Sequence, residues 1–144
     1  QPSFDDSLWA LGLSGIGYGD GDDATVTAMQ NSFLALYARR AFEVAEPDEV
    51  IELKLSIDYD DGFVAYLNGI EVARRGMGEI GIAPTFDQAA ALHEAGAVEE
   101  IPLCTGEVLQ PGRNILAVEV HNGNLGSSDL SFRPVLTGTF VSTQ

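Results

Sequence analysis

Three carboxylates lie within four residues of a glycine-rich segment near the start of the chain, which reads Gly17-Tyr18-Gly19-Asp20-Gly21-Asp22-Asp23. The intervening glycines allow a flexible loop to turn its carboxylates onto one hard cation, and Ca²⁺ takes about six to eight such oxygen ligands. The spacing is not that of an EF-hand: with Asp20 at the first position, Ala24 falls at the fifth and Asn31 at the twelfth. The alternative is a solvated acidic turn, because Asp and Gly are ordinary turn residues.

A full calcium cage needs a ligand from a distant part of the chain, and topology favours Asp129. If the first strand, predicted over Phe4 to Trp9, pairs antiparallel with the last strand, which begins near Leu130, Asp129 lies beside the acidic loop. Interpreted as a cation site, this arrangement predicts a Ca²⁺ bound with the help of backbone carbonyls, and the solvated turn stays the alternative. Its predicted side-chain ligands are Asp20, Asp22, Asp23 and Asp129.

Two further motifs carry side chains suited to a sugar. Tyr59-Asp60-Asp61-Gly62 ends a strand, and its carboxylates can accept hydrogen bonds from sugar hydroxyls. Glu119-Val120-His121-Asn122 ends another strand, and a histidine there can bind a ligand or a metal. The alternatives are a tight hairpin turn for the first motif and a hydrogen bond to a neighbouring loop for the second. The predicted ligand-binding residues are Trp9, Tyr18, Asp60, Asp61, His121 and Asn122.

Two arginine pairs, Arg39-Arg40 and Arg74-Arg75, occur in this acidic chain. Strand alternation turns one arginine of each pair inward, where it needs a carboxylate partner. The alternative is recognition of an acidic ligand, such as a uronic acid or a sulfated sugar, by the bidentate guanidinium group.

Sequence signatures of catalysis are absent. The chain has no Gly-x-Ser-x-Gly, no phosphate-binding glycine loop and no His-Glu-x-x-His. A glycosidase needs two carboxylates in one cleft, but acidic residues are so numerous here that pairs arise by chance. We therefore expect a domain that is not an enzyme.

Composition limits the possible partners. Seven Lys and Arg against 22 Asp and Glu give the 144 residues a formal charge of −15 and a pI near 4.1. This negative field repels phosphates, so we expect no nucleic acid and no anionic membrane surface as partner. No apolar run is long enough for membrane insertion. The single cysteine, Cys104, excludes an internal disulfide, and we expect a buried, inert thiol. The start at Gln1 leads us to expect a mature chain or a piece of a longer one.

The elements that must position these side chains are mostly strands. Apolar and polar residues alternate strictly from Val50 to Tyr59, the pattern of a strand with one buried face. Asn68-Gly69 predicts a hairpin turn, because both residues tolerate positive φ. The alanine-rich segment from Thr85 to Ala95 predicts a short helix inside a long loop, residues 76–98. The predicted strands cover 4–9, 33–44, 50–59, 63–67, 70–74, 100–103, 114–121 and 130–140.

Together these elements predict one domain over residues 1–144, an all-β antiparallel sandwich with one short helix. The strands at 50–59, 63–67 and 70–74 are predicted to form an antiparallel meander.

Several of these segments resemble a known superfamily. Leu36 to Val44 resembles the Y-x-R-R-x-F-x-V strand in the sugar-binding jelly-roll domain of β-galactosidase-like glycoside hydrolases. Asp60 to Val72 resembles the D-G-x-x-V-Y-L-N-G-x-E-V hairpin of the same galactose-binding-like superfamily. The remaining motifs are similar to accessory domains of large secreted bacterial proteins, and they are Trp9, 17–22, 112–121 and 127–132.

The resemblance implies a galactose-binding-like jelly roll of about eight strands that is secreted or lies on the cell surface. Many such domains are carbohydrate-binding modules with a structural Ca²⁺ near the joined first and last strands, which agrees with the predicted acidic site. The expected partner is therefore a polysaccharide or other glycan. The alternative is a structural or adhesive subunit of a surface layer, filament or adhesin, with neighbouring domains or copies of itself as partners.

Overall fold

The computed structural model describes residues 2–104 and 108–141, which contain nine strands in two sheets. The five-stranded sheet has the order β2-β1-β9-β4-β7, and the four-stranded sheet has the order β3-β8-β5-β6. Only β1 and β2 pair in parallel. The strands are β1 (Ile16–Tyr18), β2 (Thr25–Val26), β3 (Ala35–Val44), β4 (Val50–Tyr59), β5 (Gly62–Leu67), β6 (Ile70–Arg75), β7 (Glu99–Leu103), β8 (Gly112–His121) and β9 (Leu130–Phe140).

The alternation that predicted β4 also builds the core. Leu55 and Ile57 are fully buried, whereas Lys54 lies partly exposed on the other face. Val120 of β8 and Phe132 of β9 belong to the same apolar cluster, which therefore joins both sheets. Burying each such side chain contributes about 1.5–3 kcal/mol to stability. The predicted all-β antiparallel sandwich is confirmed.

The predicted meander is wrong, because the chain changes sheets after β4. The N–H of Asp60 donates to the carbonyl of Ser131 in the five-stranded sheet at 2.8 Å. The N–H of Asp61, the next residue, donates to the carbonyl of His121 in the four-stranded sheet at 3.2 Å. Asp60 and Asp61 therefore link the two sheets. Of the three strands in the predicted meander, only β5 and β6 pair with each other.

The predicted first strand at 4–9 is also wrong. The segment turns on itself, with the N–H of Trp9 donating to the carbonyl of Asp6 at 2.9 Å. The guanidinium of Arg39 binds the carbonyl of Phe4 and the Asp6 carboxylate. The pairing expected of the first and last strands exists, but β1 provides it, with Tyr18 opposite Leu130.

The predicted helix at 85–95 is absent, and the only helical element among the described residues is a 3₁₀ turn at Pro47–Glu49. Gln88 donates to the carbonyl of Thr85 at 2.9 Å, as in a single turn, but the following alanines donate to residues far from them in the sequence instead of continuing a helix. Ala90 donates to the carbonyl of Asn122 at 3.0 Å, and Ala91 donates to that of Gly76 at 2.9 Å. Tertiary hydrogen bonds thus override the helix propensity of the alanines.

The thiol of Cys104 is exposed, so the expectation of a buried cysteine is wrong. Cys104 follows the end of β7 directly, where the chain leaves the sheet. In the part of the chain that the structure covers, no helix is long and apolar enough to cross a membrane.

Candidate functional site

The acidic loop follows β1 and folds back over it. Gly19 and Gly21 have φ angles of 104° and 81°, in the left-handed region that glycine adopts without steric cost. Gly17 leaves room for the Asp23 carboxylate, because a Cβ at Gly17 would lie 2.6 Å from Asp23 Oδ1. The carboxylates gathered in this way, with ligand oxygens within 4.8 Å of one another, are those of Asp20, Asp22 and Asp23.

These three carboxylates have unequal partners. Asp20 accepts a hydrogen bond from the Ser131 hydroxyl at 3.0 Å, and Asp22 pairs with the guanidinium of Arg133. Both carboxylate oxygens of Asp23 are buried and lack a hydrogen-bond partner among the described residues. Burial, followed by the charges of Asp20 and Asp22, raises the pKa of Asp23 to about 6. A carboxylate with unfilled oxygens among like charges has the chemistry of a cation ligand.

A second group of acids lies nearby and includes Asp129. The ligand oxygens of Asp60, Glu94 and Asp129 all lie within 4.8 Å of one another. Asp60 is only 3% exposed. Burial, followed by the charges of its acidic neighbours, raises the pKa of Asp60 to about 7. The backbone of Asp129 lies beside the acidic loop, since a Cβ on Gly19 would be 2.8 Å from the Cα of Asp129. The Asp129 carboxylate, however, lies with those of Asp60 and Glu94.

Both acidic groups face outward from the five-stranded sheet. Leu130 and Phe132 point into the core, so the alternating residues Ser131 and Arg133 point to the opposite side. Arg133 lies opposite Asp58 of β4 in the register. We call the part of this outer side that contains the two acidic groups, Asp58 and Arg133 the acidic face. Its carboxylates are those of Asp20, Asp22, Asp23, Asp58, Asp60, Glu94 and Asp129.

Buried carboxylates hold the long loop against the sandwich. Asp61 Oδ1 accepts the backbone N–H of His93 at 2.9 Å, and its Oδ2 accepts that of Gly123 at 2.6 Å. Asp58 Oδ1 accepts the N–H of Gly96 at 2.8 Å. These carboxylates satisfy backbone donors that no strand partner reaches. Asp61 thus anchors two loops in this structure and has little surface left for a sugar.

The polar residues at the end of β8 are also used internally. His121 Nδ1 lies 2.8 Å from the carbonyl oxygen of Gln88, so this nitrogen carries the proton and donates it. Asn122 Nδ2 donates to the Tyr18 hydroxyl at 2.8 Å, and that hydroxyl donates to the carbonyl of Ser127 at 3.0 Å. Of the six residues predicted to bind a ligand, only Trp9 is exposed, at 37%. The buried five are Tyr18, Asp60, Asp61, His121 and Asn122.

Trp9 lines a cavity of about 950 Å³ between the two sheets, which we call the inter-sheet cleft. The cleft lies along β3, the edge strand of the four-stranded sheet. Inner-face apolar residues such as Leu116 and Phe132 form its floor. Its solvent-exposed lining includes Trp9, Tyr37, Arg40 and Arg113.

The sequence interpretation missed three kinds of residue at these sites. Glu94 was assigned to a helix, and nothing in its local sequence connects it with Asp60. Arg133 could have been found, because it shares a two-residue period with Asp129 and Ser131 along β9. Tyr37 and Arg113 also border the cleft, although their side chains start from the outer face of the four-stranded sheet, because their neighbours Leu36 and Phe42 of β3 and Leu116 of β8 pack on the core side.

No family model matches the chain, and no curated protein matches it either. Among solved structures, the fold is similar to part of a Streptomyces avermitilis α-L-rhamnosidase complexed with L-rhamnose, with a TM-score of 0.52 and 18% identity over 96% of this chain. A native α-L-rhamnosidase from Aspergillus terreus gives a TM-score of 0.48 and 16% identity over 75% of this chain. The chain spans 12% and 13% of the lengths of those two chains. At this identity, the likeness to the Streptomyces chain shows a common fold with a small part of it.

Proposed function

We propose that this chain is a non-catalytic, extracellular carbohydrate-binding module of the galactose-binding-like class, stabilised by Ca²⁺. The observation that carries the proposal is the fold likeness, which spans 96% of this chain and 12% of an enzyme whose structure contains L-rhamnose. A β-sandwich that occupies so small a part of a glycosidase suits an accessory role beside a separate catalytic domain. The motifs shared with the galactose-binding-like superfamily support the same class.

The exposed aromatic residue Trp9 of the inter-sheet cleft is the best place for a glycan. Trp9 is 37% exposed. Trp9 packs against Phe4 at 5.5 Å between ring centroids, and the Arg39 guanidinium lies 5.5 Å from the centre of the Phe4 ring. An aromatic ring held in this way offers apolar surface to the C–H face of a sugar with little loss of conformational freedom. We assign glycan contact to Trp9.

The calcium part of the proposal rests on the acidic face. Asp20, Asp22 and Asp23 fit a hard cation, because Asp23 has two buried oxygens without a hydrogen-bond partner in the described chain. Asp129 would contribute from the second acidic group, as its backbone lies against the acidic loop. A bound cation would join the segment after β1 to the segment before β9. Its role in this proposal is stability, because the acidic face and the cleft have no lining residue in common.

Calorimetric titration tests the calcium part. After chelation and removal of the chelator, the protein should take up Ca²⁺ with measurable heat, and its melting temperature should rise. Asp23→Asn should weaken binding, whereas the exposed Asp48→Asn should not. Absence of both heat and a thermal shift would remove calcium from the proposal.

Glycan-array screening tests the carbohydrate part. We expect the full chain to bind at least one glycan, with loss of binding in Trp9→Ala. Phe86→Ala is the matched control, because Phe86 is an exposed aromatic residue outside the cleft. Absence of binding to neutral and acidic glycans alike would contradict the proposed function.

A second candidate is a structural or adhesive subunit, and the N-terminal segment favours it. Leu8, Leu11 and Leu13 are 97%, 101% and 72% exposed. Apolar side chains so close together on a surface are typical of a protein interface. Light scattering separates the candidates, because an assembling subunit should form oligomers that Leu11→Ser weakens, with no affinity for glycans.

A further inference from the structure

The N-terminal segment crosses from one sheet of the sandwich to the other. Pro2 and Ala117 of β8 line one small cavity. The neighbour of Ala117 in the strand, Val118, points into the core, so Pro2 lies on the outer face of the four-stranded sheet. At its other end the segment enters β1, which pairs with β9 of the five-stranded sheet. There the Thr25 hydroxyl donates to the carbonyl of Leu13 at 2.9 Å.

This segment, residues 2–14, forms one wall of the inter-sheet cleft, and we call it the N-terminal strap. Its residues Trp9, Leu11 and Ser14 belong to the lining of the cleft. The leucine side chains in the middle of the strap point to solvent, since Leu8 and Leu11 are 97% and 101% exposed. The middle of the strap therefore buries little apolar surface, and its position depends on the contacts at its two ends.

Arg39 makes the contacts at the end that precedes Trp9. Its Nη1 donates to the carbonyl of Phe4 at 2.9 Å and to Asp6 Oδ2 at 2.6 Å. Its Nη2 donates to the carbonyl of Pro2 at 3.4 Å. The Arg39 side chain is only 8% exposed, and hydrogen bonds between charged partners are roughly twice as strong as those between neutral ones. One buried guanidinium on β3 thus binds three residues of the strap.

The same contacts fix the indole of Trp9. The N–H of Trp9 donates to the carbonyl of Asp6 at 2.9 Å, so these two residues belong to one turn. The centre of the Phe4 ring lies 5.5 Å from the centre of the Trp9 ring and 5.5 Å from Cζ of Arg39. Trp9 is therefore connected to the four-stranded sheet through contacts that converge on Arg39.

Resting on the proposed glycan-binding function, we propose that Arg39 is a positioning residue that, with Asp6 as its partner, latches the N-terminal strap across the edge of the sandwich and holds Trp9 at the inter-sheet cleft. Within the part of the chain that the structure describes, the main apolar cluster contains no residue of the strap. The strap can therefore leave the edge while the two sheets stay packed. The apparent affinity for a glycan then falls in proportion to the latched fraction of the protein.

Quenching of the Trp9 fluorescence by acrylamide tests the latch without any ligand, because Trp9 is the only tryptophan in the chain. Asp6→Asn and Arg39→Gln should each make the indole roughly two- to threefold more accessible to the quencher, since only 37% of Trp9 is exposed in the latched protein. Glu100→Gln is the matched control, because it breaks the ion pair with Lys54 outside the cleft. Equal quenching in the native protein and in both latch variants would overturn the inference.

A charge-swapped variant separates positioning from a general loss of stability. Combining Asp6→Arg with Arg39→Asp restores a pair of opposite charges, so the double variant should recover part of the protection that either single change removes. Melting curves are recorded for every variant. Exposure of Trp9 that appears only where the melting curve shows unfolded protein would make Arg39 a purely structural residue and overturn the inference.

Glycan binding provides the second readout. With a glycan that the native chain binds on the array, Asp6→Asn should weaken the affinity by up to about tenfold, the change that one charge-assisted hydrogen bond implies. Glu100→Gln should leave the affinity unchanged. Equal or tighter binding in Asp6→Asn would overturn the positioning role, because the strap would then have no influence on the cleft or would obstruct it.

Failure of the proposed function gives a different result. The native chain would then bind no glycan, whereas quenching of Trp9 would still increase in Asp6→Asn and Arg39→Gln. That combination would support the latch and overturn its link to a glycan.

Discussion

Replacing Asp60 by Asn should make the calcium-free protein more stable at alkaline pH. The ordinary pKa of an aspartate, 3.8, rises to about 7 for Asp60, chiefly through burial. Ionised Asp60 therefore costs the folded state up to roughly 4 kcal/mol above pH 7. An Asn at this position removes the charge and keeps an oxygen that can accept the backbone hydrogen bond of Ala95.

The sign of the pH dependence follows from which state binds the proton more tightly. Because the folded pKa of Asp60 is the higher one, the unfolded chain loses its proton first as the pH rises from about 4 to about 7. This group therefore lowers the stability of the native protein over that window. Asp60→Asn lacks the effect, so its advantage should be largest at pH 8 and should shrink toward pH 4.

Urea unfolding at several pH values, with a chelator present, measures this difference. Asp87→Asn is the control, because it removes the charge of an exposed carboxylate from the same long loop. Chelator is needed because bound Ca²⁺ would add its own stabilisation to the folded protein. A variant that is no more stable than the native protein at pH 8 with chelator would refute this reasoning about Asp60.

Three further substitutions test other contacts. Asp61→Ala leaves the N–H groups of His93 and Gly123 without their acceptor. Urea unfolding should show that the free energy of unfolding falls by about 2–6 kcal/mol, and a fall below about 1 kcal/mol would contradict the anchoring role. Leu55→Ala, at a fully buried core position, should cost about 2–5 kcal/mol in the same assay, whereas a neutral effect would place Leu55 outside the core. Gly17→Ala puts a methyl group against the Asp23 carboxylate and the Leu130 carbonyl. Calorimetry should therefore show weaker Ca²⁺ binding, and unchanged binding would argue against a cation at Asp23.

Much of the fold could be predicted, because apolar and polar residues alternate along the strands in the same way as buried and exposed positions. The alternation from Val50 to Tyr59 places Leu55 and Ile57 in the core, and the observed β4 has the same bounds as the predicted strand. The Asn68-Gly69 turn was also predicted correctly, since both residues have positive φ, 52° and 86°. These features depend on local geometry and on one buried face, and both are visible in sequence.

The long loop could not be predicted, because its structure depends on distant residues. Its alanines favour a helix, but Asp58 and Asp61 supply acceptors for its backbone donors. The same contacts explain why polar residues at strand ends resembled a sugar site. Asp61 and His121 have the chemistry to bind hydroxyls, yet in the structure they hold the protein's own backbone.

The acidic sites were predicted in part. The grouping of Asp20, Asp22 and Asp23 follows from three acids in four residues, and the position of Asp129 beside their loop follows from pairing of the first and last strands. The position of Glu94 beside Asp60 depends on the path of the long loop, and no pattern in the sequence indicates it. The −15 charge thus has two structural uses, since some carboxylates fix the loops and others form the acidic face.

The most direct measurement of glycan binding uses the fluorescence of Trp9, the only tryptophan in the chain. Its indole is 37% exposed in the inter-sheet cleft, so a sugar ring placed on it should shift the emission to shorter wavelength. Titration with neutral and acidic polysaccharides should give a saturable shift for at least one of them. Emission that stays constant with every polysaccharide would contradict the assignment of this chain as a carbohydrate-binding module at that cleft.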